Sequence, residues 1–244
     1  MATYLLIHGA WHGGWCWRRV VPLLRAAGHE VFTPTLTGLG ERAHLLTREV
    51  GLDTHAQDVV GVLEYEDLRD VVLVGHSYGG MVITAVAERA AERLAHLVYL
   101  DAFVPRDGQS QMDLLGPEFL ALFQDQARLH GDGWKLPSFP AERFGVTKEE
   151  DLAWVRPRLG LHPFKTKLDK VRLANPNAAK IARTYIYCSQ PAIGPFGQFA
   201  ERARAEAGWR YREIATGHDA MVTEPGRLSE MLMEVATAGA ASVG

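Results

Sequence analysis

At 244 residues, 47% of them hydrophobic, the chain is long enough to bury one substantial α/β core. A formal net charge of −3 leaves no basic footprint for nucleic acid or an anionic membrane surface, and no apolar run approaches the length of a membrane span. Two cysteines, Cys16 and Cys188, sit in apolar settings and read as buried free thiols of a reducing cytoplasm, not as a disulfide or a metal site. Residues 3–8 are too short for the apolar part of a signal peptide and lack its basic start, so a cytoplasmic protein is expected.

In chain order, the run Tyr4-Leu5-Leu6-Ile7 predicts a strand that feeds a glycine-rich turn beginning His8-Gly9. Residues 15–27 carry apolar positions at helical spacing, with Gly28 as a stop. A second strand is expected at 30–33, closed by Pro34, and a loop over the sheet at 35–52, which shows no period. Thr54 to Gln57 reads as a capping box that opens a helix to about Tyr65. The third strand, Val71-Val72-Leu73-Val74, leads through Gly75-His76-Ser77-Tyr78-Gly79-Gly80 into a helix at about 81–88, and Leu97-Val98-Tyr99-Leu100 is the fourth strand. Alternation of this kind implies a doubly wound, mostly parallel sheet.

The rhythm breaks after Phe103. Residues 105–177 hold many prolines and glycines, two short helical patterns and the bulky side chains Phe119, Phe123, Trp134, Phe139, Trp154 and Phe164. This segment lies between two sheet strands, so it must leave the sheet and return, and a cap over the carboxyl ends of the strands is expected. The α/β pattern resumes with a strand at 182–188, a helix at about 196–207, a strand at 210–214, the loop Thr216-Gly217-His218-Asp219 and a last helix at about 224–236; the small tail at 239–244 is expected to fray. The division is therefore 1–103 with 181–244 as the core and 104–180 as the cap.

Ser77 lies between two glycines where a strand turns sharply into a helix, the pattern G-x-S-x-G, which strains the backbone and lifts the hydroxyl above the sheet. A serine hydroxyl needs a base, and His218, in the loop after the last strand, reaches the same sheet edge. His76 is expected to point away along the turn, and His55, His96, His130 and His162 to lie on the surface or in the cap. Backbone N–H groups of Tyr78 and of Ala10 are the expected donors to a developing oxyanion. His8 and His12 have H-x-x-x-H spacing but neither a helix nor a third ligand, so no metal is expected.

These stretches resemble the α/β-hydrolase group that contains plant methylesterases, hydroxynitrile lyases and similar bacterial carboxylesterases. The matching residues are His8-Gly9-Ala10-Trp11-His12-Gly13-Gly14-Trp15-Cys16-Trp17, then Pro34-Thr35-Leu36-Thr37-Gly38-Leu39-Gly40-Glu41-Arg42, the turn 75–80, and Gly217-His218-Asp219-Ala220-Met221. The resemblance runs from Ala2 to about Glu234 and is weakest in the cap. It implies an α/β-hydrolase fold of about six strands with a helical cap inserted after the fourth. It also implies cofactor-free hydrolysis of small esters through an acyl-enzyme, with Trp134, Phe103 and Met221 as substrate-binding candidates.

The sequence departs from that pattern twice. The triad acid usually follows the strand that here spans 185–188, but Ser189-Gln190-Pro191-Ala192-Ile193-Gly194-Pro195 follows instead, with no carboxylate before Glu201. Asp101, directly after the fourth strand, is the expected replacement, as in haloalkane dehalogenases, with Glu201 second; Asp219 adjoins the histidine and should point elsewhere. The family's lyases have a threonine where Gly9 stands and a lysine where Asp219 stands, so hydrolysis is favoured over lyase chemistry. The expectation is a serine carboxylesterase acting on small apolar or aromatic esters, with no nucleic-acid or membrane partner and an oligomeric state left open between monomer and homodimer. Lactonase or hydroxynitrile lyase activity, or a non-catalytic small-molecule receptor, are the alternatives.

Overall fold

The computed structural model describes residues 1–240, with side chains described through Ala236, so most of the tail expected at 239–244 lies outside the described residues. Six strands form one sheet: β1 (Thr3–Ile7), β2 (Glu30–Phe32), β3 (Val71–His76), β4 (Leu94–Leu100), then, past the two-stranded insert of β5 (Lys135–Leu136) and β6 (His162–Pro163), β7 (Ala182–Cys188) and β8 (Trp209–Ile214). The sheet order is β2-β1-β3-β4-β7-β8 and every pairing in it is parallel. β1 therefore lies between β2 and β3, and the chain winds in opposite directions from there. This reversal opens a crevice at the carboxyl ends of β1 and β3. In register, Ile7 faces Gly75, and His76 faces Leu100, so the turns after β1, β3 and β4 emerge side by side.

Both faces of the sheet are buried, and side chains alternate between them. Leu5, Ile7, Leu73, Leu97, Tyr99 and Tyr185 pack on one side; Tyr4, Leu6, Val72, Val74, Val98 and Ile186 pack on the other. The helices that cover them are α1 (Val21–Ala26), α2 (Leu52–Tyr65) and α3 (Gly79–Ala90), then α4 (Gln111–Leu115), α5 (Pro117–His130), α6 (Glu149–Val155) and α7 (Lys165–Leu168) in the segment between β4 and β7. α8 (Gly197–Ala205), α9 (Ala220–Thr223) and α10 (Pro225–Ala240) complete the set.

Two helix starts differ from the sequence expectation. Residues 15–27 do not form one helix: a 3₁₀ turn at Gly14–Trp17 is followed, after a gap, by α1. Pro22 lacks the N–H a continuous helix would need from it, but fits the first turn of a new one. α2 begins at Leu52, not Thr54; the Thr54 hydroxyl accepts from Gly51 N–H at 3.3 Å, and Asp169 Oδ2 accepts from Leu52 N–H at 2.9 Å. A carboxylate from a distant part of the chain caps this helix. Cys16 and Cys188 are buried free thiols.

Candidate active site

Ser77 sits at φ +55°, the left-handed region that costs a non-glycine residue roughly 1–2 kcal/mol. The surrounding backbone holds it there. Its N–H donates to Leu100 O at 3.2 Å, and its C=O accepts from Gly80 N–H and Phe103 N–H, both at 3.1 Å. A Cβ on Gly75 would fall 2.6 Å from Gly79 O, which is why the strand and helix can meet only through glycine here. Gly9 meets the same turn from β1, since a Cβ there would come 3.0 Å from Ser77 Cβ and 2.9 Å from His76 Nδ1. A threonine at that position would need the elbow to shift.

Asp101 leaves β4 at φ +41°, its N–H donating to Ile186 O at 2.7 Å. That left-handed step turns its fully buried carboxylate toward the loop after β8. There Asp101 Oδ2 accepts from His218 Nδ1 at 2.6 Å while Oδ1 accepts from Cys188 N–H at 3.2 Å. Burial pushes the Asp101 carboxyl above its usual range, and the hydrogen bond and charge of His218 work in the opposite direction. Two donors aimed at its two oxygens favour the ionised form. Glu201, by contrast, is exposed on α8.

Several neighbours of this pair were not legible in the sequence. His76 does not point away along the turn: its Nε2 donates to the His218 carbonyl at 3.0 Å, and the two rings are 4.4 Å apart. It therefore ties the histidine loop to the residue preceding Ser77. Phe196 stacks on the His218 ring at 4.6 Å and 13°, and Phe144 lies 6.2 Å from it. Asp219 does point elsewhere, to His12, whose Nε2 is 3.0 Å from Asp219 Oδ2 and whose Nδ1 donates to Ala10 O at 2.8 Å. With an acceptor at each ring nitrogen, His12 is held as an imidazolium. Burial opposes its charge, but the Asp219 carboxylate and the Ala10 carbonyl together raise its pKa.

His55, His96 and His162 are buried, not surface residues, because each ring finds partners inside. His55 accepts from the Tyr78 hydroxyl at 3.0 Å and donates to Thr37 O at 2.9 Å; His96 meets Thr184 Oγ1 at 2.8 Å; His162 meets Thr166 Oγ1 at 2.7 Å. His130 is exposed. His8 donates from Nδ1 to Gly9 O and accepts from Leu36 N–H at Nε2, and burial holds its pKa down at about 3. The H-x-x-x-H pair is thus divided between two hydrogen-bonding duties. Among the described residues no group of three or more His, Cys, Asp or Glu is placed to hold a metal ion.

Of the remaining sequence candidates, Ala10 and Tyr78 are buried beside the elbow, Ala10 in the turn after β1 and Tyr78 at the start of α3. Phe103 holds the elbow through its N–H and packs its ring on Phe196 at 5.1 Å. The half-buried Trp134 ring lies by the Arg48 guanidinium at 5.6 Å and the Lys135 ammonium at 5.1 Å, and the rings that meet His218 are those of His76, Phe196 and Phe144. Met221 is fully buried in the apolar layer with Cys16, Trp17 and Leu228.

The family model described as the alpha/beta hydrolase family matches residues 4–231, nearly the whole chain. The chain belongs to that family. This hydrolase is 44% identical to a carbendazim hydrolyzing esterase of Nocardioides sp. over 95% of the chain and 98% of that protein. It is 26% identical to a rice esterase (Oryza sativa subsp. japonica) over 96% of the chain and 95% of the relative. Among solved structures it resembles an extracellular alpha/beta-hydrolase from a Paenibacillus species, with a TM-score of 0.84 and 28% identity, covering 97% of this chain and 99% of that one. These relationships make the chain an ester hydrolase. No helix among its described residues is long and apolar enough to cross a membrane.

Proposed function

We propose that the hydrolase is a serine carboxylesterase in which Ser77 is the nucleophile, His218 the general base and acid, and Asp101 the carboxylate behind the histidine. The observation that carries this reading is the buried 2.6 Å contact from His218 Nδ1 to Asp101 Oδ2, in a loop that His76 ties to the elbow. Donation from Nδ1 to the carboxylate fixes the tautomer and leaves Nε2 to take the proton of Ser77. As Ser77 Oγ attacks the ester carbonyl, the N–H groups of Ala10 and Tyr78 receive the oxyanion. His218 then protonates the leaving alcohol, and water releases the acid by the same steps in reverse. The cycle calls for no cofactor.

Residues 104–180 serve as a cap over this edge. Phe144 O accepts from Asp219 N–H at 3.0 Å, and Gly145 packs so closely on Gly217 that a Cβ on it would sit 2.6 Å from Gly217 Cα. With Phe144 and Phe196 facing the histidine, the substrate class that fits best is an apolar or aromatic ester of modest size. The Nocardioides relative adds carbendazim to the compounds worth testing. Ser77→Ala is expected to lower kcat/KM for p-nitrophenyl acetate by roughly 10⁶-fold, the scale of nucleophile loss in serine hydrolases. If that variant keeps most of the activity, the proposal is wrong.

A further inference from the structure

We propose that Trp11 is a positioning residue through which the cap sets the geometry of the oxyanion turn. The inference rests on the reading of Ala10 N–H as an oxyanion donor, and concerns what holds that donor in place. Trp11 is buried at φ +64°, a conformation that a non-glycine residue keeps only when its surroundings enforce it. All three of its polar groups end in the cap. Its N–H donates to His162 Nδ1 at 3.4 Å, its C=O accepts from Gly160 N–H at 3.0 Å, and its indole Nε1–H donates to Leu136 O at 3.0 Å. The ring is surrounded by cap aromatics: Phe139 at 5.3 Å, His162 at 5.9 Å, Phe144 at 6.0 Å and Phe123 at 6.4 Å.

The protons on His162 are determined by its neighbours. Thr166 Oγ1 donates to Pro163 O at 2.9 Å, so its oxygen accepts from His162 Nε2–H at 2.7 Å. Nδ1 is left bare to receive the Trp11 N–H, and burial keeps the ring neutral. The Ala10–Trp11 peptide is consequently pinned from both sides. His162 takes its N–H from the cap, and His12 donates to its C=O from the core. One peptide earlier is the Ala10 N–H. A glycine at position 11 would adopt the positive φ freely but would carry neither the indole donor nor the ring that seats among the cap aromatics.

The test compares Trp11→Phe, His162→Leu and His162→Asn with the wild type, using p-nitrophenyl acetate and an aryl trifluoromethyl ketone. The ketone adds to the serine as a tetrahedral oxyanion, so its affinity reports the oxyanion donors. Trp11→Phe, which keeps the ring and removes one neutral hydrogen bond, is expected to lose about 5-fold in kcat and in ketone affinity. His162→Leu is expected to lose up to about 100-fold, the lower range for an oxyanion donor. His162→Asn, whose amide oxygen can stand where Nδ1 stood, recovers most of that loss. KM and the pH profile of kcat stay in place. Losses of thermal stability with unchanged kcat and ketone affinity would overturn the proposal. If His162→Leu does not fold, the same two readouts on Trp11→Phe decide the question. Failure of the wild type to form the ketone adduct at all would instead overturn the serine-esterase reading beneath it.

Discussion

Asp101 shows how a single backbone torsion decides which carboxylate reaches His218, the histidine proposed as the base. Its φ of +41° at the end of β4 turns the side chain across β7 to His218, and Cys188 N–H completes its hydrogen bonding. Asparagine at this position would offer His218 an amide in place of a charge, favouring the wrong tautomer. Asp101→Asn is expected to lower kcat on the order of 10⁴-fold with little change in fold. Glu201→Gln, on an exposed helical face, should stay within about 2-fold. A larger loss in the Glu201 variant would reverse the assignment. Ser77, His218 and Asp101 were legible in the sequence as candidates, because strand ends place side chains at one edge, and His218 and Asp101 do meet there. His76, His12, Phe144 and Phe196 were not, because no local pattern shows which distant ring a buried side chain will meet. The Trp134 ring is another case: Lys135 beside it is adjacent in sequence, but its other cationic neighbour, Arg48, is not placed there by any local pattern.

At the scale of elements, the turn after β1 and the loop after β8 are joined by the buried His12–Asp219 ion pair, with His8, His76, Asp101, Cys16 and Cys188 as titratable groups nearby. His12 has a raised pKa in the folded chain, so its contribution is complete below the unfolded value of about 6.5 and is lost as pH rises through the folded value. The neutral buried histidines act in the opposite sense. His8, held down at about 3, and His55 and His96, held down at about 4, stabilise the fold above about 6.5 and lose that contribution as pH falls toward those values. Urea midpoints measured across pH are therefore expected to peak near neutrality and decline on both sides. Asp219→Asn should cost about 3 kcal/mol or more at pH 6.5, since it strands a buried cation, and should flatten the decline above about pH 6.5. A wild-type midpoint that stays level as pH rises above about 6.5 would contradict the pairing. The helix starts carry the same lesson about long-range partners: Pro22 splits the first helix for a local reason, whereas Asp169 caps α2 from 117 residues away in sequence.

For the whole molecule, the sheet order β2-β1-β3-β4-β7-β8 brings the three turns of the proposed site to one crevice, and the segment between β4 and β7 touches the loop after β8 through Phe144 O and Asp219 N–H. The sheet could be anticipated because its central strands β3 and β4 are buried on both faces and read as nearly continuous apolar runs. The path of the segment between β4 and β7 could not, since its short helices and two-residue strands pack on residues distant in sequence, Trp11 and Gly217 among them. On the proposed mechanism, this architecture activates one serine, Ser77. Treating the protein with a fluorophosphonate and mapping the adduct by peptide mass spectrometry tests that claim most directly. The expected result is a single adduct on the peptide that contains Ser77, absent in Ser77→Ala and formed far more slowly in His218→Ala. An unlabelled wild type, or an adduct that persists in Ser77→Ala, would contradict the account.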